Sequence, residues 1–216
     1  MSPITLDKLR HFYFNKYVVS LFARKRYYLS YSFKYEALWF RNYKVGTRTI
    51  DKHLKMNSEP TEYIYSSNVG YNPKQYEGYF KFAFVRNPVD RFISGWKDKV
   101  INQNYFGFDQ ETHNSMKDLK NFIKWVGQMD LENCDEHLRA QYSLIDLNNI
   151  DFIGRFENFE QDLRIVADKI GMPYDENLHL NSSGKKPLEI SLDNRKAIQK
   201  LYRKDYRIFY PKDMIR

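Results

Sequence analysis

The chain has 216 residues, a length that fits one domain able to bury a sizeable core without staples. Its single cysteine, Cys134, excludes an intrachain disulfide, and no run approaches the roughly 20 apolar residues of a membrane-spanning helix. A formal net charge of +8 directs the chain to anionic partners such as nucleotides, acidic glycans, nucleic acid or an anionic membrane, without choosing among them.

Residues 1–34 read as a helical, basic, aromatic arm, with Leu6, Leu9, Tyr13 and Tyr17 near one face. Such an arm either packs on the domain or makes peripheral contact with a membrane surface. The apolar stretch 17–23 is too short for a secretory core and runs into Arg24-Lys25-Arg26, so a cytoplasmic location is expected. Residues 35–216 are expected to form one domain. Short strands are predicted at 36–40, 63–65, 80–86 and 151–156. A loop over 43–50 opens a helix, and a second helix runs over 88–102, with Pro88 well placed in its first turn. Residues 103–114 read as a loop, followed by helices over 115–127 and 134–143. Asn158 begins a helix that Gly171 and Pro173 end, and after a long loop Ser191 caps a final helix to about Phe209. Strands alternating with helices indicate an α/β fold with a central parallel sheet flanked by helices.

Two places carry chemistry. The first is Lys44-Val45-Gly46-Thr47-Arg48-Thr49, between a strand and a helix. Helix-end amides and the helix dipole favour an anion there; Gly46 permits close backbone approach, Thr47 and Thr49 offer hydroxyls, and Lys44 offers a full charge. Arg48 either adds a contact or faces solvent. The spacing G-x-x-x-x-G-K-[ST] is absent, which disfavours a conventional P-loop ATPase or GTPase. The second is Arg86, at the C-terminal end of a predicted strand, with Ser94 two turns into the next helix. That edge of an α/β sheet is where ligands bind, and a guanidinium fork with a hydroxyl suits a phosphate.

The run containing Phe84, Val85, Arg86, Asn87, Pro88, Asp90, Arg91, Phe92, Ser94, Trp96, Asp98 and Lys99 resembles the 3′-phosphate-binding motif of the sulfotransferases. The likeness is to the carbohydrate branch that includes the chondroitin 4-sulfotransferases. The Lys44 loop is similar to that family's 5′-phosphosulfate loop, with Tyr43 in place of the usual Pro and Arg48 at a usually small or neutral position. Segments 135–141 and 151–158 extend the likeness, with Leu138 where the family carries Trp, so it covers about 36–210.

The resemblance implies a P-loop-like sulfotransferase fold and transfer of a sulfuryl group from 3′-phosphoadenosine-5′-phosphosulfate (PAPS) to a hydroxyl of a carbohydrate or glycolipid. The implied mechanism is in-line displacement at sulfur, with 3′,5′-adenosine bisphosphate as product. It places Lys44, Val45, Gly46, Thr47, Arg48, Thr49, Arg86 and Ser94 on the donor, Lys44 also neutralising the leaving oxygen. Arg155 joins the donor site or pairs with Glu157, and a loop with Ser183 and Lys185 closes over the 3′-phosphate or is plain surface. His137, or a carboxylate such as Glu136, takes the acceptor's proton. His53 faces the site or, as preferred, solvent; Cys134 is expected to be a small filler rather than a nucleophile; and no metal is expected, since His113 and His179 sit in loops without metal-like partner spacing. The rival readings are a phosphoryl-transfer enzyme such as a nucleotide kinase, which lacks a clear Mg²⁺ carboxylate, and a basic nucleic-acid-binding module, for which only the N-terminal arm partly qualifies.

Overall fold

A computed structural model describes residues 9–10, 12–23, 25–178 and 189–214. Its contacts divide the chain into two compact units, Met1–Val85 with Leu144–Ser182, and Arg86–Ser143 with Ser183–Arg216.

The first unit holds a five-stranded sheet: β1 (Tyr27–Ser32), β2 (Ala37–Phe40), β3 (Tyr63–Val69), β4 (Phe80–Val85) and β5 (Phe152–Arg155), in the order β3-β1-β2-β4-β5. β2 pairs parallel with β4, and β4 with β5, as strand–helix alternation predicts. β1 departs from that expectation. It lies antiparallel between β2 and β3, so the sheet is mixed, and it occupies sequence that reads as part of a helical arm. All six of its residues are buried, Ser30 and Ser32 included, so the strand is covered on both faces. A turn of four residues separates β1 from β2, with Glu36 at φ 47°, and so short a connection enforces antiparallel pairing.

On one face of the sheet, Trp39, Phe82 and Phe84 pack with Ile50 and Leu54 of α1 (Thr47–Lys55). Leu163, Val166 and Ala167 of α5 (Phe159–Ile170) complete the same cluster. Gly154 of β5 stands opposite Phe84, and a Cβ there would lie 2.6 Å from the Phe84 ring, so the Phe84 ring is seated where only glycine leaves room. Gly171 ends α5 in the left-handed conformation, as its position predicts.

The second unit is helical. It contains α2 (Pro88–Trp96), prolonged by a π-helical turn over Lys97–Ile101, then α3 (Gln110–Met116) and α4 (Leu119–Val126), and finally α6 (Leu192–Leu201) and α7 (Arg203–Phe209). Asn87 caps α2 by accepting the Val89 amide at 3.1 Å, with Pro88 in the first turn. Phe92 of α2 meets Phe122 of α4 and Tyr202 with ring centroids 5.4 and 6.0 Å apart. Three expectations fail here. Residues 110–116 are helix, capped by Asp109; the predicted final helix breaks at Tyr202 into α6 and α7; and 134–143 is a chain of turns ending in a 3-10 turn over Gln141–Leu144 rather than an α-helix, for a reason given below.

Candidate functional site

In the first unit, the Lys44 loop sits between β2 and α1. Lys44 and Gly46 both have left-handed backbones, at φ 69° and 80°, and the intervening Val45 does not. Such alternation turns successive amides toward a common concavity that suits an anion. A Cβ on Gly46 would fall 2.5 Å from the Phe159 ring, which lies directly beneath the loop. Asn42 anchors the loop's start: its amide donates to Phe84 O at 2.8 Å, and its own carbonyl accepts Thr47 Oγ1 at 3.0 Å. Tyr43, the residue in place of proline, meets Tyr65 hydroxyl to hydroxyl at 2.9 Å. Val45 and Thr49 are buried, Lys44 and Thr47 half-buried, and Arg48 exposed. A cradle that glycine alone can line, at the N-terminus of a nine-residue helix, fits a phosphosulfate.

His53 does not face solvent. It is buried, with Nδ1 2.8 Å from Thr49 O and Nε2 accepting the Asp175 amide at 3.2 Å, and it stacks on Tyr174. The histidine thereby ties the first turns of α1 to the segment following α5. Arg155 is exposed at the end of β5, and its amide donates to Asp162 at 2.6 Å. Ser183 and Lys185 lie outside the described residues.

In the second unit, Arg86 and Ser94 are half-buried. The Arg86 backbone is gripped from both sides by the Gln141 side chain: the Arg86 amide donates to Oε1 at 2.9 Å, and Nε2 donates to Arg86 O at 2.9 Å. Gln141 thus serves Arg86 as an extra strand would. Its own amide, and that of Tyr142, donate to the fully buried Asp205 at 2.9 Å each. Arg91, buried, donates to the carbonyls of Arg139 at 2.8 Å and Glu136 at 3.1 Å. Tyr202 donates to Leu138 O at 2.6 Å. These side chains claim the backbone groups of 136–142 that a helix would have used internally, which is why the predicted helix does not form.

That pinned loop carries His137. Its Nδ1 lies 3.0 Å from Asp135 Oδ1, and its amide donates to the same oxygen at 2.9 Å. Burial raises the Asp135 carboxyl, but the hydrogen bonds and charge of His137, with Tyr105, outweigh it and leave the pKa below its ordinary value. An ionised Asp135 holds the proton on Nδ1 and leaves Nε2 as the basic nitrogen. The Tyr105 ring meets the imidazole edge-to-face at 5.0 Å. Asp135, Glu136 and His137 are also the described residues whose ligand atoms lie close enough, within 4.8 Å, to share a metal ion. Burial raises the Cys134 thiol to about 11, which suits a filler rather than a thiolate nucleophile.

The sequence profile of the sulfotransferase family matches residues 7–211. The chain belongs to the sulfotransferase family. This family member is 28% identical over 113 residues to carbohydrate sulfotransferase 14 of Danio rerio, covering 44% of the chain and 31% of the relative. It is 22% identical over 142 residues to the Mus musculus protein of the same name, covering 57% of the chain and 38% of the relative. It is 30% identical over 115 residues to an uncharacterized protein of Archaeoglobus fulgidus, covering 51% of the chain and 82% of that protein. The chain therefore spans only about a third of the length of the vertebrate relatives it matches, 31% and 38%. No solved structure matches it. Of the positions described above, the resemblance marks Lys44 in the first unit and Arg86 and His137 in the second. It leaves the roles of Gln141, Asp205 and Tyr202 unassigned. Gln141 ends a matched segment, but nothing local signals a partner 55 residues away.

Proposed function

We propose that this chain is a PAPS-dependent sulfotransferase that acts on a hydroxyl of a carbohydrate or glycolipid. The observation that carries the reading is the Lys44–Thr49 loop, whose alternating left-handed residues sit over Phe159 at a helix N-terminus, in a chain of this family. When bound, PAPS supplies an activated sulfuryl group. Lys44 and the first amides of α1 hold the phosphosulfate and neutralise negative charge at its leaving oxygen, an arrangement worth ~10²–10³ in rate for a preorganised donor. Arg86, its backbone fixed by Gln141, and Ser94 hold the 3′-phosphate. His137, its ring set by Asp135, accepts the acceptor hydroxyl's proton at Nε2. The carbohydrate class of acceptor is supported by the named vertebrate relatives.

The test is transfer of labelled sulfate from PAPS to a panel of glycans, glycolipids and small alcohols. Sulfation of a sugar hydroxyl is the expected result. Sulfation of the simple alcohols alone would reject the carbohydrate class, and transfer of phosphate from ATP with none from PAPS would reject the reaction.

A further inference from the structure

The N-terminal arm has its amphipathicity inverted. The described side chains it buries include two polar ones. Asn15 donates to Gln75 at 2.7 Å and to the Tyr76 hydroxyl at 3.2 Å, and Ser20 accepts the Gly70 amide at 2.8 Å. Phe12 is its aromatic anchor, packed edge-on against Tyr31 of β1 at 5.1 Å. The opposite face is apolar and open to solvent: Tyr13, Phe14, Tyr17, Val18, Leu21 and Phe22, with Tyr17 at 60%, Leu21 at 73% and Phe22 at 83% exposure. These six recur in pairs every four residues, so they form one stripe. A helix held to its domain by hydrogen bonds, with its aliphatic and aromatic side chains turned outward, leaves unburied the surface that folding ordinarily removes from water.

Three of those side chains, Phe14, Val18 and Phe22, also line a groove of 490 Å³ with Tyr27, Tyr71 and Lys25, and with Asp146, whose carboxylate accepts the Tyr71 hydroxyl. The chain segment that carries the stripe has charge of one sign. Between residues 8 and 35 the sequence holds seven Lys or Arg and no Asp or Glu, and Lys16, Lys25 and Arg26 are exposed in the structure. Lys16 Nζ lies 5.4 Å from the centre of the Tyr17 ring, over its face. Apolar side chains flanked by cations match the boundary between acyl chains and anionic headgroups.

We infer that the arm's exposed face is a docking surface for an anionic lipid bilayer, with the stripe inserted among the acyl chains and Lys16, Lys25 and Arg26 on the headgroup phosphates. Nucleic acid also attracts a basic, aromatic surface, but it offers nothing to the aliphatic Val18 and Leu21, and this favours the bilayer. Among the described residues no helix is long and apolar enough to cross a membrane, so the contact is one that lies on the surface.

The experiment is co-sedimentation of the full chain with phosphatidylcholine vesicles, with and without phosphatidylglycerol, for the parent and for Leu21→Glu/Phe22→Glu. Both positions are largely exposed, so the variant keeps the fold, which circular dichroism and thermal melting verify. The parent is expected to bind anionic vesicles at least roughly tenfold better than neutral ones, and the variant to lose roughly tenfold or more of that binding. Added salt should weaken the binding without abolishing it. Equal binding by parent and variant overturns the inference, as does no binding to anionic vesicles. A parent that instead dimerises through this face, or prefers single-stranded DNA to vesicles, with either property lost in the variant, overturns it too.

Discussion

His137 and Asp135 are locked together twice, through Nδ1 at 3.0 Å and through the backbone amide at 2.9 Å, onto one carboxylate oxygen. The double contact fixes both the ring's orientation and its tautomer. If His137 is the base, His137→Ala lowers turnover by ~10²–10⁴ while leaving affinity for 3′,5′-adenosine bisphosphate intact. Asp135→Asn lowers turnover less, because the ring keeps a hydrogen-bond partner but loses the ionised one that fixes its tautomer. Steady-state rates at saturating acceptor check both variants. Near-parental turnover in His137→Ala would move the role to a carboxylate such as Glu136.

Gly46 is bound to its place by two separate constraints. Its φ of 80° strains any L side chain, costing ~1–2 kcal/mol, and a Cβ would overlap the Phe159 ring, costing ~1–3 kcal/mol in a packed site. Gly46→Ala is therefore expected to lose about 2–5 kcal/mol in urea unfolding and to weaken nucleotide binding. Adding Phe159→Leu should restore the steric part and leave the backbone part. A single variant as stable as the parent would show that the loop does not take this conformation.

Asp51 of α1 connects the helix to the sheet. It accepts from Tyr63 at 2.6 Å and pairs with Arg41 at 3.1 Å, while Arg41 itself lies between the Trp39 and Tyr65 rings. Burial raises the carboxyl, but the bonds from Lys55 and Tyr63 and the charges of Arg41 and Lys55 together leave its pKa below the ordinary 3.8. A depressed folded-state pKa adds stability that is present above the unfolded value and lost as pH falls through the folded one. Asp51→Asn should be less stable than the parent near neutrality, and the gap should narrow from about pH 5 to about pH 2. Urea midpoints across that range measure it; a gap constant with pH would mean that the carboxylate's charge contributes nothing.

The turn from β4 into α2 was legible because its signals are local. A Phe-rich run reads as buried strand, and Asn87-Pro88 reads as a cap with proline in the first turn. The same holds for Gly171 at the end of α5. β1 was missed although Leu29-Ser30-Tyr31-Ser32 alternates, because the basic, aromatic run around it reads as a helical arm. Residues 134–143 look helical, yet Arg91, Asp205 and Tyr202 take their backbone groups from positions distant in sequence. For the same reason His53 reads as a solvent-facing helix residue, although its ring meets Asp175, 122 residues on. The Lys44 and Arg86 segments could be picked out in the sequence; the side chains that hold them in place could not.

The central claim is that Arg86 and Ser94 read a 3′-phosphate, and it can be tested without knowing the acceptor. Calorimetry should compare 3′,5′-adenosine bisphosphate with AMP on the parent and on Arg86→Ala. The account predicts much tighter binding of the bisphosphate, and an Arg86→Ala variant that loses most of that preference while still binding AMP. Equal affinity of the parent for the two nucleotides would contradict it.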